Sequence, residues 1–462
     1  MSFRRPTLLP LFVGLLALLG FGSSALAQPA ATPSPDEVWT SALAADGESS
    51  VLLLPAVNPA EQRLRDEQRV KSGGVPHFAA VHEVEVDPWN HGTWRPASRQ
   101  RAAWQLDVHS PGALSLSFAF SRFQLPRGAT LLVRSADETA GPFTAADHDE
   151  HGQLWTPPMS GDRLRLELEI PLSAWGDIEL QLARVHHGYV GFGEPALEKA
   201  GSCHLEPACG EDASWTHEAR SVALLSIEGV RYCTGFLVNN TAEDARPYLI
   251  TARHCGVHRR NAASVVAMWR HEKAVCGELQ AAALAPSTHF QSGAILRASR
   301  LDADIALLEL DDPVAVPGDG AVFAGWDRAE DRPREGVVIH HPNTGHQRIA
   351  FADGPLLATR HLQAVEMPGG DHLRVGSWRL GTTEGGSSGA PLFNEDRRVV
   401  GVLHGGYAAC GNRDADWFGR LAAVWHGGSP ASRLRDWLDP LDLQPLVLDA
   451  LSVGEKEPGA SD

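Results

Sequence analysis

The stretch GTTEGGSSGAPLF, residues 381–393, places two adjacent serines among glycines and ends in Ala-Pro before two apolar residues. A Gly-x-Ser-Gly turn can expose one hydroxyl while backbone N–H groups point at the same spot, as an acyl-transfer site requires. A Gly/Ser-rich surface loop has a similar composition. The rest of the chain has to decide between these two interpretations.

A serine nucleophile needs a base within hydrogen-bond reach, and the base needs a carboxylate that holds its tautomer. His254 follows the apolar run YLITA, and Asp304 opens the apolar run IALLEL. Asp302 precedes that run by two more residues and is the weaker candidate. A lone histidine or a lone strand-opening aspartate is usually structural. The three types together, in the chain order His, Asp, Ser of trypsin-like folds, favour catalysis.

Short apolar runs separated by turns surround these residues and predict an all-β fold, either a pair of barrels or a sandwich. The runs are SVALLSI, CTGFLVNN, PYLITA, SVVAMW, DIALLEL, GVVIHH, HLRVGSW, GAPLF, RVVGVLHGG and FGRLAAVW. The later run ASRLRDWLDP predicts one short helix that Ser429 or Ser432 caps and that ends before Pro440.

The part of the chain before residue 200 also alternates apolar and polar residues, in runs such as ALSLSFAF, ATLLVRS, LRLELEI and IELQLARV. This pattern predicts an antiparallel β domain. Its tryptophans and histidines could line a sugar-binding face, although scattered aromatic residues in a β domain are more often core or rim. The turn-rich stretch GFGEPALEKAGSC, residues 191–203, predicts a linker.

The N-terminus has the pattern of a secretory signal peptide. Arg4 and Arg5 precede an apolar run over residues 8–19, and Ala25 and Ala27 have the spacing that a signal peptidase recognises. We expect cleavage after Ala27 and an extracellular or periplasmic protein. No later segment reaches the roughly 18 apolar residues of a membrane span, so no membrane association is expected.

Composition bounds the remaining possibilities. The 462 residues are enough for two or three domains, and 43% hydrophobic residues can form a core in each. A net charge of −17, without a dense Lys/Arg stretch, argues against a nucleic-acid partner.

All six cysteines lie after residue 200, which predicts three disulfides in an exported chain. A zinc site is the alternative, but no Cys-x-x-Cys pair occurs. The adjacent His340 and His341 would face opposite sides of a strand and could not easily share an ion. We therefore expect no metal and no cofactor.

The blocks TARHC, DIALL and GSSGAP resemble the three catalytic blocks of chymotrypsin-type serine proteases. Within that group the chain resembles the bacterial lysyl endopeptidases over about residues 200–440. The similar blocks arrive in that family's order: GSCHLE, CTGFLVNNTA, YLITARHCG, AGWDR, IHHPN, GSSGAP, VLHGG, FGR and SRLRDWLDP. The resemblance implies a trypsin-like double β-barrel with the site between the barrels.

The resemblance also implies a role for each catalytic residue. Ser388 is the nucleophile and Ser387 a bystander, His254 is the general base and then the general acid, and Asp304 orients it. The N–H groups of Gly386 and Ser388 form the oxyanion hole. The family's pairing implies the disulfides Cys203–Cys410, Cys209–Cys276 and Cys233–Cys255.

Substrate specificity follows from the same resemblance. Counting back from the FGR block puts the acid that binds a substrate lysine at Asp416, with Asp414 as a shifted alternative. Glu384 matches a second acidic position, and His404 matches a histidine beside the subsite. The tryptophan that partners this histidine in the family has no counterpart around residues 365–367, which leaves strict lysine preference over arginine open.

These observations predict a signal peptide over residues 1–27, a β-rich propeptide domain over 28–199, a trypsin-like protease domain over 200–440 and a C-terminal tail over 441–462. We expect a secreted, monomeric serine endopeptidase that acts on protein or peptide substrates. It would cleave after lysine and release its own propeptide at Lys199. The alternative is an inactive protease-like protein that serves in adhesion or carbohydrate binding.

Overall fold

The computed structural model describes residue 34 and residues 50–72, 74–147, 151–192, 203–209, 214–273, 289–314, 320–329 and 332–454. The predictions of a signal peptide over residues 1–27, of cleavage at Lys199 and of a disulfide at Cys276 lie outside these described residues.

The part before residue 193 packs two antiparallel-rich sheets around one core. One sheet has the order β1-β4-β10-β6-β7 with β3 beside β4, and the other has the order β2-β11-β5-β8 with β9 beside β5. The strands are β1 (Val51–Leu53), β2 (Ala79–Val86), β3 (Thr93–Pro96), β4 (Arg101–His109), β5 (Ser115–Gln124), β6 (Thr130–Arg134), β7 (Thr139–Phe143), β8 (Leu154–Trp155), β9 (Met159–Ser160), β10 (Arg163–Pro171) and β11 (Glu179–Gly188).

Strand β10 shows why this sequence forms a sheet with one buried face. Leu164, Leu166, Leu168 and Ile170 are all buried, and the Arg and Glu residues between them are not. Side chains alternate between the two faces of a strand, so this spacing points every apolar side chain toward the core.

One helix of this unit, α1 (Pro59–Lys71), has no counterpart among our predictions. The Asn58 side chain caps it by accepting from the Ala60 and Glu61 N–H groups, and Pro59 occupies the first turn. None of its residues is buried. It therefore lacks the apolar face by which a helix is recognised in a sequence.

The later part of the chain forms two further sheets that curl into half-barrels. The first has the order β16-β15-β12-β13-β14-β18-β17, and the second β22-β21-β25-β26-β27-β24-β23 with β20 and β28 attached. Strands β19 and β29 form a separate pair. The all-β, trypsin-like double-barrel prediction is confirmed.

The first of these sheets contains β12 (Val222–Ile227), β13 (Arg231–Leu237), β14 (Tyr248–Ala252), β15 (Val265–Met268), β16 (Phe290–Ser292), β17 (Ala294–Arg300) and β18 (Ile305–Leu310). The remaining strands are β19 (Ala321–Phe323), β20 (Trp326–Asp327), β21 (Glu335–His340), β22 (Arg348–Asp353), β23 (Leu357–Thr359), β24 (His372–Val375), β25 (Pro391–Phe393), β26 (Val399–Gly406), β27 (Asp416–Arg420), β28 (Val447–Leu448) and β29 (Leu451–Val453). Short helices are α2 (Thr216–Ala219), α3 (Leu421–Trp425) and α4 (Arg435–Leu438).

Strand β12 is apolar on both faces because both faces are covered. Leu225 and Ile227 belong to the core of the first barrel, whereas Leu224 packs with Phe78 and Trp155 of the N-terminal unit. The outer face of the barrel is therefore an interface with the N-terminal unit, which explains a strand without polar alternation.

Two local predictions need correction. The run FGRLAAVW is not one strand, since β27 ends at Arg420 and α3 follows with Leu421, Val424 and Trp425 buried at helical spacing. Ser429 and Ser432 form a capping box on the 3-10 turn Pro430–Ser432 rather than on the C-terminal helix, which begins at Arg435.

Candidate active site

His254 and Asp304 lie side by side because the strands that carry them are neighbours. His254 belongs to the 3-10 turn Arg253–Cys255 directly after β14, and Asp304 directly precedes β18. The two strands pair antiparallel with Ala252 opposite Ile305, so the end of one meets the start of the other. This register brings the predicted base and the predicted orienting acid to one edge of the first barrel.

Asp304 contacts His254 through both carboxylate oxygens. Oδ2 lies 2.5 Å from His254 Nδ1, and Oδ1 accepts the His254 backbone N–H at 2.9 Å. The Asp304 side chain is only 3% exposed, which strengthens its attraction for a proton on Nδ1 and leaves Nε2 as the free base. Its backbone is left-handed, with φ 54°, a strained conformation that is common at functional sites. The alternative, Asp302, is exposed and pairs with Arg300 instead.

The two adjacent serines lie in different environments. Ser387 is fully buried, whereas Ser388 is partly exposed. The Ser388 carbonyl accepts the Thr234 N–H at 2.9 Å and lies 3.9 Å from Sγ of Cys255, the residue after His254. Within the described part of the chain the Ser388 hydroxyl makes no hydrogen bond. The turn thus brings Ser388 beside the disulfide next to His254 with its hydroxyl unengaged.

The backbone around Ser388 leaves two N–H groups available. Among the described residues, neither the Gly386 N–H nor the Ser388 N–H donates a hydrogen bond. Gly386 has φ 91°, and a Cβ built there would lie 2.5 Å from the Tyr232 ring, so only glycine fits. Free N–H groups on both sides of the nucleophile position are what an oxyanion hole requires.

Ser387 holds in place residues 384–389, the turn of the candidate nucleophile Ser388 (the nucleophile turn), through contacts that sequence reasoning missed. Its hydroxyl lies 2.7 Å from His340 Nδ1 and accepts the Glu384 N–H at 3.1 Å. His340 is fully buried, and burial lowers its pKa well below the ordinary value, so it is neutral. The Ser–His pair gave no local signal because 47 residues separate its members.

Two groups of side chains within the described ranges have the donor atoms for a metal ion. Cys203 and Cys410 with His204 form one, and His254, Asp304 and His404 form the other. The two cysteines are joined in a disulfide, which removes their thiolates as ligands. In the second group Nδ1 of His254 is already bonded to Asp304. His340 and His341 do not occur together in either group.

Asp416 lies at the start of β27 and is 1% exposed. Its Oδ2 accepts hydrogen bonds from Trp378 Nε1 at 2.8 Å and from Thr383 Oγ1 at 2.6 Å. Burial raises the pKa of Asp416, and the hydrogen bonds from Thr383, Trp378 and the Ala408 backbone oppose that shift. Oδ1 lies against Gly406, where an added Cβ would come within 2.5 Å of it. Sequence reasoning did not identify Trp378 or Thr383 as partners of this carboxylate.

The other two acidic candidates lie in different surroundings. Asp414 is exposed. Glu384 Oε2 accepts from His204 Nε2 at 3.1 Å and from Asn343 Nδ2 at 2.8 Å, and its Oε1 accepts from Cys410 N at 3.3 Å. Glu384 therefore joins the nucleophile turn to the segment that begins the protease unit, with partners on both oxygens.

His404 belongs to β26 and is the centre of a histidine cluster. Its ring is stacked on His361 at 3.6 Å between ring centroids and on His254 at 5.5 Å. Its Nδ1 lies 3.0 Å from His372 Nε2, and its Nε2 lies 3.6 Å from Asp304 Oδ2. Sequence reasoning recognised the missing tryptophan but not that His361 covers this face of His404. The cluster is assembled from separate strands and loops, so no spacing in the sequence reveals it.

The described residues contain the disulfides Cys203–Cys410 and Cys233–Cys255. Cys209 is disulfide-bonded as well, and its expected partner Cys276 lies outside the described residues. The second bridge joins β13 to the turn that carries His254, which anchors this histidine to the barrel.

The N-terminal unit reaches the nucleophile turn. A Cβ built on Gly385 would lie 3.8 Å from Pro76 Cγ, and Thr344 Oγ1 donates to the Gly191 carbonyl at 2.8 Å. Asn343, next to Thr344, donates its N–H to the Gly385 carbonyl at 2.7 Å. Two separate segments of the N-terminal unit thus contact or approach the turn before Ser388.

The same segment continues along the first barrel. His77 forms an antiparallel bridge with Arg231, and the Phe78 N–H donates to the Val230 carbonyl at 2.8 Å. Phe78 is 1% exposed and packs with Tyr232 in the apolar cluster between the two units, which also contains Trp155 and Leu224. None of the described helices is long and apolar enough to cross a membrane.

Comparison with known protein families gives two matches along this chain. The profile of the lysyl endopeptidase N-terminal domain matches residues 56–189, and that of the lysyl endopeptidase C-terminal domain matches residues 197–419. Together they span well over half of the chain. With the double-barrel fold, these matches define the class: the chain is a trypsin-like serine endopeptidase.

A relative narrows the class. The lysyl endopeptidase of Pseudomonas aeruginosa is 26% identical over 355 residues, which cover 71% of each chain. The chain therefore belongs to the lysyl endopeptidase-like proteases.

Solved structures with some likeness include the inactive form of Rv3671c from M. tuberculosis H37Rv and the HtrA-type protease AlgW with a tripeptide. The first is 17% identical, with 48% of this chain and 90% of that chain covered and a TM-score of 0.30. The second is 15% identical, with 46% and 60% covered and a TM-score of 0.32.

Proposed function

We propose that this serine endopeptidase is secreted, cleaves peptide bonds after lysine, and uses Ser388, His254 and Asp304 as its catalytic triad. Three observations support the triad. Among the described residues the Ser388 hydroxyl makes no hydrogen bond, and the Gly386 and Ser388 N–H groups donate none. His254 Nδ1 lies 2.5 Å from Asp304 Oδ2. The apolar run and small residues before Ala27 support secretion.

The mechanism follows from these positions. Ser388 Oγ attacks the scissile carbonyl while His254 Nε2 takes its proton, and Asp304 stabilises the imidazolium that results. The Gly386 and Ser388 N–H groups bind the oxyanion. His254 then protonates the leaving amine, and a water molecule repeats the sequence on the acyl-enzyme to release the acid product.

The carboxylate of Asp416 is the observation that carries the lysine preference. Trp378 and Thr383 donate hydrogen bonds to Oδ2, and the Ala408 backbone also donates to this carboxylate, so few of its lone pairs remain for a substrate cation. An ammonium is a compact point charge that one oxygen can bind, whereas a guanidinium gains most from a bidentate carboxylate. A carboxylate that already accepts from three donors therefore favours lysine over arginine.

Glu384 takes a supporting role in this proposal. Its oxygens bind His204, Asn343 and the Cys410 N–H, so it holds the substrate-binding walls together instead of contacting lysine. His404 borders the same region through its contacts with Asp304 and His254.

We infer that the N-terminal unit is a propeptide that inhibits the enzyme until it is cut away. Pro76 next to Gly385 and the His77–Arg231 bridge support this role, since they bring the segment 74–78 against the turn that carries Ser388 and against β13. Lys199 precedes the first cysteine of the protease unit, so an enzyme that cuts after lysine can release itself there.

An uncharged organophosphonate probe for serine hydrolases tests the proposal. The mature protein should react, the adduct should map to Ser388, and N-terminal sequencing should find Ala200. The Ser388→Ala variant should neither react nor mature. A mature protein that leaves the probe unreacted would favour a binding function on a protease-like scaffold.

A further inference from the structure

We propose that Asp371 and His372 are positioning residues for catalysis, because they determine which nitrogen of His404 carries a proton next to Asp304. The inference rests on the proposed triad and extends it to residues that do not touch the substrate.

Three contacts form a continuous line from Asp371 to the triad. Asp371 Oδ1 lies 2.7 Å from His372 Nδ1, and His372 Nε2 lies 3.0 Å from His404 Nδ1. The last contact, from His404 Nε2 to Asp304 Oδ2, is longer at 3.6 Å. His372 is fully buried at the start of β24, which pairs with β27, the neighbour of β26 and His404.

The direction of the hydrogen bonds follows from the carboxylate at the outer end. Asp371 can only accept while ionised, so His372 carries a proton on Nδ1. The proposed arrangement requires an uncharged His372, whose Nε2 then accepts. His404 then donates from Nδ1, and its Nε2 is left with a lone pair that faces the Asp304 carboxylate. Two lone pairs repel, which agrees with a gap longer than a hydrogen bond at this end only.

The surroundings of His404 keep it neutral. The groups that face it are Asp304, His361, His254 and His372. Burial lowers the pKa of His404 to about 3, Asp304 opposes that shift, and the three imidazoles add to it. Over the pH range in which a serine protease works, His404 therefore stays uncharged. Its one proton can lie on either Nδ1 or Nε2.

The position of the proton on His404 affects how strongly Asp304 holds His254. With Nε2 unprotonated, Oδ2 of Asp304 has His254 Nδ1 as its one close donor among the described residues. If His404 carried its proton on Nε2 instead, that N–H would compete for Oδ2 and weaken the hold on His254. Asp371 and His372 prevent this by giving the Nδ1–H of His404 an acceptor.

The test compares two replacements of His372 in the mature enzyme. In His372→Gln the amide oxygen can still accept from His404 Nδ1, whereas His372→Phe fills the space without an acceptor. We expect His372→Gln to keep the wild-type pH profile of kcat/KM on a lysyl peptide. His372→Phe should lose about tenfold and shift the acid limb to lower pH by roughly half a unit, as expected for one misdirected hydrogen bond.

Equal behaviour of the two variants, or a loss of activity with an unmoved acid limb, would overturn the proposal. If His372→Phe does not fold, the partly exposed Asp371 allows the same comparison, with Asp371→Asn retaining an acceptor and Asp371→Ala losing it. Ser388→Ala separates the two levels: if it remains active, the triad itself is wrong, and if it is dead while the His372 pair behaves alike, only this inference fails.

Discussion

At the scale of single residues, one turn gives two adjacent serines, Ser387 and Ser388, different roles. The Ser387 hydroxyl is buried and bonded to His340 and to the Glu384 N–H, whereas the Ser388 hydroxyl has no such bond within the described chain. The buried serine shapes the turn, and the partly exposed one is available for chemistry.

We expect Ser388→Ala to abolish peptide cleavage and Ser387→Ala to retain most of it. Removing the Ser387 hydroxyl leaves the buried His340 Nδ1 and the Glu384 N–H unpaired, which should cost about 1–3 kcal/mol of stability. Thermal unfolding and peptidase assays on both variants check this. If Ser387→Ala were the inactive variant with a normal melting temperature, the assignment of the nucleophile would be wrong.

We expect Asp416→Asn to lose lysyl cleavage selectively. A carboxylate and an ammonium about 4 Å apart attract by roughly 4 kcal/mol at an effective dielectric near 20, and desolvation takes back part of this. A surviving difference of about 3 kcal/mol is on the order of a hundredfold in kcat/KM. Reaction with an uncharged phosphonate should persist, because the triad is unchanged.

The exposed Asp414 supplies a matched control for this experiment. Asp414→Asn removes the same charge two residues earlier and should leave lysyl kcat/KM within about twofold, as is usual for a surface change. A lysyl rate that falls with Asp414→Asn and not with Asp416→Asn would move the specificity acid to Asp414.

At the scale of elements, β2 and the segment before it connect the N-terminal unit to the protease. Phe78 lies just before β2, is 1% exposed and packs against the barrel, whereas Val81 within β2 is 41% exposed. The start of this element, Phe78 and Ala79, therefore serves the interface, whereas Val84 and Val86 further along β2 pack in the core of the N-terminal unit.

We expect Phe78→Ala to weaken the hold of the N-terminal unit on the active site. In a precursor that Lys199→Gln makes resistant to processing, phosphonate labelling of Ser388 should be slow. Adding Phe78→Ala should speed it, since truncating a buried Phe costs about 3–5 kcal/mol. Val81→Ala is the control and should leave the labelling rate unchanged. Equally fast labelling of all these precursors would show that the unit does not cover the site.

Much of this architecture could be predicted from the sequence, because alternation and turns are local signals. LRLELEI became β10, and the strands that carry His254 and Asp304 were recognised from their apolar runs. Helix α1 was missed because it buries no face, and α3 was taken for a strand because its apolar residues continue β27. The contacts of Ser387 with His340 and of His404 with His361 and His372 depend on register between distant strands.

At the scale of the whole molecule, the two units pack against each other, and their interface contains histidines. Burial, aided by Arg69 and Arg231, lowers the pKa of His77 to about 4. Burial also lowers the pKa of His186 to about 3, with Arg184 adding to the shift, and a Cβ on Gly229 of the protease unit would lie 2.4 Å from this ring. Both imidazoles are neutral in the assembled form.

This arrangement predicts that acid loosens the precursor. A histidine with a pKa below its unfolded value of 6.5 takes up a proton on release, so its contribution to stability is complete above pH 6.5. The contribution falls as the pH drops from 6.5 towards about 4. The melting temperature of the Ser388→Ala precursor should decrease over this window, and His77→Gln should reduce the decrease. A melting temperature that rises on acidification would contradict the assignment.

The proposed selection of lysine through Asp416 can be tested by identifying the bonds that the enzyme cuts. A denatured proteome digested with the mature enzyme, with the Ser388→Ala protein as blank, can be mapped by mass spectrometry. We expect lysine to precede the great majority of new cleavage sites, with arginine a minority, and the blank to yield none. Cleavage without preference for a basic residue, or undiminished cleavage by Ser388→Ala, would contradict it.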